Sequence, residues 1–322
     1  MISKPAEILV LTPASEALIK GCARLGPCLR ATRAEVLAGR VEGLAAVRAV
    51  AAWDVVVDGA LFERLPALEL VANQGVGYDK VDVAAATARG IAVTHTPDVL
   101  TDEVADFTLG LLIMTIRRLG EAERFLRAGR WEAGPFPLSH TLRGRRVGIL
   151  GTGRIGKAVA TRLEGFGVSL AYSGRRPQPD LAYPYFPDAR QLAGAVDTLI
   201  SILPGGAETR RLVDAEVLAA LGADGVFVNV GRGSTVDEAA LATALRTGVI
   251  AAAGLDVFEH EPHVGPELLE LENAVLMPHV ASATVHTRAA MSKLVVDNIA
   301  VWLADGRALT PTPETRAGLP VR

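Results

Sequence analysis

Residues 147–156 read Val-Gly-Ile-Leu-Gly-Thr-Gly-Arg-Ile-Gly, and Lys157-Ala158-Val159-Ala160 follows. The apolar run predicts a buried strand and the segment after the glycines predicts a helix. Gly-x-Gly-x-x-Gly between a strand and a helix is the dinucleotide fingerprint in the context it requires. Gly151 permits the tight turn, Gly153 lets backbone approach a pyrophosphate, and Gly156 lets helix and strand pack closely. The helix N-terminus attracts the phosphate charge. This feature begins in mid-chain, so about the first hundred residues must do something else.

A chain of 322 residues is long enough for about two domains. Half of the residues are hydrophobic, which supplies a core for both. The net charge is -3 and no basic stripe is present, which argues against nucleic acid or an anionic membrane as partner. The longest apolar run, Phe107 to Ile116, falls short of the roughly 20 residues that span a bilayer. Met1–Pro5 carries no signal-peptide core, so a cytoplasmic location is expected. Cys22 and Cys28 pair with no histidine at metal-ligand spacing and make no disulfide framework, so no metal site is expected.

The N-terminal part alternates strands and helices. Glu7–Leu11, Trp53–Val57, Leu68–Ala72 and Ile91–Thr94 read as short parallel strands, with a helical segment between the first two. A long helix starts near Asp98, with Thr101 and Asp102 as N-cap candidates, and carries Val104, Phe107, Leu111 and Met114 at helical spacing. A second alternating series follows: Val147–Leu150, Ser169–Tyr172, Thr198–Leu203, Val226–Val230, Ala251–Leu255 and Ala274–Met277. The tail, Thr287 to Trp302, reads as one more helix. The pattern is doubly wound α/β, with ligands expected at the carboxyl ends of the strands. Gly151, Ser173-Gly174-Arg175-Arg176, Asn229, Gly231-Arg232, Asp256 and Pro278-His279 all follow strands of the second series. That places them on one rim of one sheet, where a random scatter would divide them between two rims.

With these motifs in order, the chain resembles the D-isomer-specific 2-hydroxyacid dehydrogenases. The residues that carry the match are Asn73–Asp79, Gly151–Gly156, Asn229–Gly233, Gly254–Pro262 and Met277–His279. Trp131–Phe136 and Tyr172–Pro177 look most like the glyoxylate/hydroxypyruvate reductase branch. The resemblance implies two parallel-sheet domains, a flavodoxin-like substrate domain (1–98 plus 288–322) and a Rossmann cofactor domain with a dimerisation arm (99–287), closing a cleft on substrate. It also implies a homodimer and a small 2-keto acid as substrate.

The resemblance assigns roles that the chemistry supports. His279 would be the general acid. Glu261 would hydrogen-bond His279, orient it and favour its protonated form. Arg232 would polarise the carbonyl and bind the carboxylate through its fork of donors. The Val76 and Gly77 amides would grip the same carboxylate, and Trp131 would close the pocket, reaching over from a partner subunit. Asp256 would accept from a nicotinamide carboxamide. Gly151, Thr152, Gly153, Arg154, Ile155, Gly156 and Pro204 would line the cofactor. The other histidines lack a motif role, although His95 lies just beyond a strand end.

A site for NAD normally carries an acid about 20 residues beyond the glycines, on the ribose 2′-hydroxyl. Here the sequence is Tyr172-Ser173-Gly174-Arg175-Arg176, with two guanidinium groups and no acid. A carboxylate repels a 2′-phosphate and arginine binds it, so NADPH is the preferred cofactor, with Arg175 the main ligand, Ser173 and Arg176 helpers, and NADH still possible. Pro204-Gly205-Gly206 and Ala281-Ser282 depart from the family's usual residues beside the cofactor. A reductase for a bulkier 2-keto acid, such as a phenylpyruvate, is the alternative within the family. A non-catalytic NAD(P)-binding regulator is the alternative of another class.

Overall fold

The computed structural model describes residues 5–318. They form two compact units: the described residues up to Leu100 together with those from Thr284 onward, and Thr101–Ala283.

The first unit is built on a parallel sheet of β1 (Ile8–Thr12), β2 (Cys28–Thr32), β3 (Ala49–Ala52), β4 (Leu70–Asn73) and β5 (Ala92–Thr94). Its order is β2-β1-β3-β4-β5, the flavodoxin-like arrangement. Side chains alternate across the pleat, and both faces are covered. Leu9, Leu11, Val50, Val71 and Val93 point into one core with Leu61 and Phe62. Ile8, Val10, Ala49, Leu70 and Ala92 point into the other with Leu18, Val295, Ile299 and Trp302. The last three lie on the helix Val285–Asp305, which Thr284 caps through its side chain and Gly306 ends in the left-handed conformation.

The second unit carries β6 (Arg146–Leu150), β7 (Ser169–Ser173), β8 (Tyr185–Phe186), β9 (Thr198–Ser201), β10 (Val226–Asn229), β11 (Ala252–Leu255) and β12 (Ala274–Leu276). All are parallel, in the order β12-β11-β10-β9-β6-β7-β8. Strand order reverses between β6 and β9, the switch point at which doubly wound sheets bind ligands. The register aligns the strand ends. Ser173 pairs with Leu150, Leu150 with Ser201, Ser201 with Asn229, Asn229 with Leu255, and Leu255 with Leu276. The loops that follow, carrying Gly151, Gly174, Arg232, Asp256 and His279, therefore leave from one row on one rim. The helix Thr101–Ile116 lies against this sheet, and Gly254 admits it: a Cβ there would sit 2.5 Å from Thr115 Oγ1.

Three local expectations are corrected. The strand expected at Trp53–Val57 lies just before it, at Ala49–Ala52. Asp54 adopts φ 55°, which breaks the extended run, while the small residues of β3 are all buried between neighbouring strands. The segment between β1 and β3 is not all helical, because Cys28–Thr32 forms an edge strand whose exposed Arg30 and Thr32 mask its pattern. Thr101 and Asp102 do not cap the long helix. Thr101 is its first residue and its hydroxyl is buried without a partner, while the Asp102 carboxylate takes an ion pair from Arg162 at 2.9 Å.

Candidate active site

His279 follows β12 with φ 53°, in the left-handed region that non-glycine residues seldom occupy. Its amide donates to the Asp256 carbonyl at 2.8 Å and the Met277 carbonyl at 3.0 Å, which holds the turn. The next two amides, of Val280 and Ala281, donate to the two carboxylate oxygens of Asp256 at 2.8 and 2.9 Å. Asp256 is wholly buried. Burial pushes its carboxyl above the usual range in spite of those two bonds. Asp256 thus fixes His279 and the two residues after it, a task that sequence reasoning did not give it.

The His279 ring bonds Glu261 Oε2 through Nδ1 at 2.7 Å, which leaves Nε2 as the other ring nitrogen; the side chain is 42% exposed. Burial raises the Glu261 carboxyl, but the His279 bond, the Phe258 amide and the nearby His279 and Arg232 charges outweigh it, so the group sits below its ordinary value. Glu261 Oε1 accepts the Phe258 amide at 3.0 Å, so both its oxygens are committed. The loop around it is anchored further by Glu259, which bonds Arg210 at 3.0 Å and Arg211 at 3.3 Å and donates its amide to Glu238 at 2.6 Å.

Arg232 is delivered by a clamped turn. Asn229, fully buried at the end of β10, accepts the Gly231 amide at 3.0 Å and donates to the Arg232 carbonyl at 3.0 Å. Thr235 donates to the same carbonyl at 2.7 Å. This turn lies directly on the Glu261 loop: a Cβ on Gly233 would fall 1.8 Å from the Phe258 carbonyl carbon. The sheet rim therefore carries Arg232, then Asp256 and Glu261, then His279 on three successive loops, the first two packed backbone to backbone.

At the other end of the rim the glycine turn fits a nucleotide. Gly151 has φ 93°, and a Cβ on Gly156 would sit 2.1 Å from the Gly151 carbonyl oxygen. Only glycine is accommodated at either position. A Cβ on Gly153 would meet nothing within 4 Å, so the backbone there is open to approach. The helix Arg154–Leu163 has Gly153 as its cap and no side-chain cap bond, which leaves its terminal amides for an anion. Ser173 is buried, whereas Arg175 and Arg176 are exposed with no ion-pair partner among the described residues. The acid that follows them, Asp180, is engaged by Lys157 at 2.6 Å, which holds its carboxyl below the ordinary range. Pro204 is exposed on the loop after β9, its carbonyl accepting from Thr209 at 2.6 Å.

Residues 109–281 match the family model described as D-isomer specific 2-hydroxyacid dehydrogenase, NAD binding domain. A glyoxylate/hydroxypyruvate reductase A from Arabidopsis thaliana is 48% identical over 254 residues, covering 79% of this chain and 81% of the relative. The chain belongs to the D-isomer-specific 2-hydroxyacid dehydrogenase family. A hydroxyphenylpyruvate reductase from Plectranthus scutellarioides is 45% identical over 254 residues, with the same coverage of 79% and 81%. Among solved structures, an NADPH-dependent glyoxylate/hydroxypyruvate reductase from Sinorhizobium meliloti, in complex with NADP and malonate, is 52% identical. It superposes with a TM-score of 0.93 and covers 97% of this chain and 98% of that one. The family and the two parallel-sheet folds expected from the motifs are both borne out.

Within this dehydrogenase the first unit presents the Val76–Gly77 loop after β4. Neither amide donates to any described residue. Asn73 holds the loop by donating to the Gly75 and Gly77 carbonyls at 3.3 and 3.0 Å, and the His95 ring meets the Val76 carbonyl at 3.0 Å. Trp131 is 66% exposed, on a segment that begins with the helix Leu119–Arg127, none of whose residues is buried. Phe136, near it, is instead covered by Phe125 and Arg118. Sequence reasoning placed Asn229 on the rim and Asn73 in a family motif without giving either a supporting role, and it missed Arg210 and Arg211. An asparagine ending a strand just before a glycine-rich turn was a visible signal for the first two, because its amide can satisfy the turn.

Proposed function

We propose that the protein reduces glyoxylate and hydroxypyruvate to the corresponding 2-hydroxy acids, glycolate and D-glycerate, with NADPH. The observation that carries the reading is the 2.7 Å bond between His279 and Glu261 on the rim that also carries Arg232 and the glycine turn. Gly151, Thr152, Gly153, Arg154, Ile155 and Gly156, with Pro204 alongside, would hold the cofactor through its pyrophosphate, and its reduced nicotinamide would supply the hydride. Arg232 pairs with the substrate carboxylate and polarises the keto oxygen. His279 Nε2 gives that oxygen its proton, and Glu261 fixes the ring by accepting from Nδ1. The Val76 and Gly77 amides are assigned to the same carboxylate. Asp256, whose oxygens keep lone pairs beyond the amides they accept, is assigned to the nicotinamide carboxamide as well as to the His279 turn.

NADPH is preferred because Arg175 and Arg176 are unpaired and the nearest acid, Asp180, is neutralised by Lys157. The naming of the Sinorhizobium neighbour as NADPH-dependent supports the same reading. A homodimer accounts for the exposed Leu119, Leu126, Trp131 and Leu138, with Trp131 closing the partner's pocket. No helix among the described residues is long and apolar enough to cross a membrane, and the two free thiols suit the cytoplasm. The likeness to a hydroxyphenylpyruvate reductase favours one further reading, a bulkier keto acid as substrate.

The test is oxidation of NADPH and NADH with glyoxylate, hydroxypyruvate and hydroxyphenylpyruvate, by wild type and His279→Ala. Turnover of the two small acids with NADPH, lost by at least about 100-fold in the variant, supports the reading. Turnover of hydroxyphenylpyruvate alone moves the substrate to the second reading, and faster NADH oxidation overturns the cofactor.

A further inference from the structure

The two arginines assigned to the cofactor sit on a loop, Gly174–Gln178, whose ends are both tied by tyrosines. At one end Tyr185 donates its hydroxyl to the Gly174 carbonyl at 3.1 Å. At the other, the Gln178 amide donates to the Tyr172 hydroxyl at 2.8 Å. Tyr172 is nearly fully buried on β7, and Tyr185 stands directly opposite it on β8, with ring centroids 5.4 Å apart. β8 has only two residues, yet it ends the sheet where it sets Tyr185 beside Tyr172. Gly174 also lies against the phosphate turn: a Cβ there would be 3.4 Å from Thr152 Oγ1. Between the tied ends only Arg175, Arg176 and Pro177 are free to move, and proline fixes its own φ.

We infer that Tyr185, through Tyr172 and the loop they tie, is a positioning residue that sets the preference for a cofactor with a 2′-phosphate. This rests on the reading that the protein binds NADPH. An exposed arginine gives up rotamer freedom when it is fixed, and an untethered loop beneath it adds backbone freedom to that loss. Holding both ends of a five-residue loop removes the second cost before the phosphate arrives, which is preorganisation. NADH lacks the 2′-phosphate that the arginines are assigned to bind, so the tether should weigh on NADPH and not on NADH.

The experiment is equilibrium binding of NADPH and of NADH, followed by fluorescence with no substrate present. It compares wild type, Tyr185→Phe, Arg175→Ala and the double variant. Phenylalanine keeps the ring contact and removes only the hydroxyl. The expected result is a Kd for NADPH about three- to tenfold weaker in Tyr185→Phe, the worth of one hydrogen bond. NADH binding should stay within about twofold, and the loss should vanish when Arg175 is already alanine. Equal weakening of both cofactors, an unchanged NADPH Kd, or a loss that persists in the Arg175→Ala background overturns the proposal. The wild-type ratio tests the cofactor reading separately: no preference for NADPH there sinks that reading before any variant is compared. Tyr172→Phe is the second variant; it orphans the Gln178 amide and should reproduce the selective loss.

Discussion

Gly233→Ala is the sharpest perturbation of the rim. The added Cβ would fall 1.8 Å from the Phe258 carbonyl carbon, 2.2 Å from its oxygen and 2.3 Å from the Glu259 nitrogen. Carbon atoms rest about 3.5–4.0 Å apart, so one backbone must retreat by about 2 Å. The obstacle is backbone, not the end of a flexible side chain, and both segments are held: Asn229 and Thr235 clamp one, Glu238, Arg210 and Arg211 the other. Overpacking of this kind costs about 1–3 kcal/mol, a fall of several degrees in melting temperature for a unit of this size. The larger effect is on rate. Arg232 and Glu261 ride on the two displaced segments, and misplacement by about 1 Å costs on the order of 100-fold. The assay is kcat/KM for NADPH-dependent glyoxylate reduction, with thermal melting and NADPH binding alongside. The expected pattern is a loss of about 100-fold in kcat/KM with NADPH binding within a few-fold of wild type. Activity within threefold of wild type would refute the argument that this backbone approach registers the two loops. Gly153→Ala is the control with opposite signs. Its Cβ has open space and its φ is -73°, so the protein should be as stable as wild type or more so by about 0.4–1 kcal/mol, while NADPH binding falls sharply.

Asp256→Asn places an amide NH2 against the Val280 or Ala281 N–H, where two donors then face each other; a drop of about 1–3 kcal/mol in stability and a lower kcat are expected, checked by denaturant unfolding and steady-state kinetics. Glu261→Gln removes a carboxylate whose folded pKa lies below its unfolded value of about 4.3. The stabilisation from the ionised group is fully present above that value and disappears as pH falls through the folded pKa. Wild type should therefore lose stability more steeply than Glu261→Gln below about pH 4.3, and parallel melting curves between pH 6 and 3 would count against the assignment. Arg232→Lys keeps the charge and loses the fork; kcat/KM for glyoxylate should fall by about 10- to 100-fold with NADPH binding unchanged, and an unaffected kcat/KM would show that bidentate geometry is not used.

Much of this was legible because function in a doubly wound fold sits after strand ends, and strands buried on both faces are short apolar runs that glycine interrupts. Val147–Leu150 and Val226–Val230 announce themselves in that way. Ala49–Ala52 does not, since three alanines around one valine carry little strand signal and the cover of β1 and β4 makes them a strand. Tyr185–Phe186 is too short for any periodicity, and its pairing with β7 is purely tertiary. The polar residues proposed for the chemistry could be named from their motifs. The residues that aim them could not, because the Asp256 bonds to Val280 and Ala281 span 24 and 25 residues and the Gly233–Phe258 approach spans as many.

His279 holds a left-handed backbone with φ 53°. A non-glycine residue in that region gives up about 1–2 kcal/mol, and such strain persists only where the surroundings over-determine it. Here they do. The His279 amide bonds back to Asp256 and Met277, the two following amides bond the Asp256 carboxylate, and the ring is held by Glu261. The buried Asp256 carboxylate is itself unfavourable, as its raised pKa records, so one costly feature is stabilised by another. Folding alone would favour glycine at 279. Glycine would supply no ring whose Nδ1 is fixed by Glu261 and whose Nε2 is left over. A His279→Gly variant should accordingly match or exceed wild type in melting temperature while losing turnover. A marked loss of stability in that variant would mean that the imidazole–carboxylate bond, rather than the backbone turn, holds the loop.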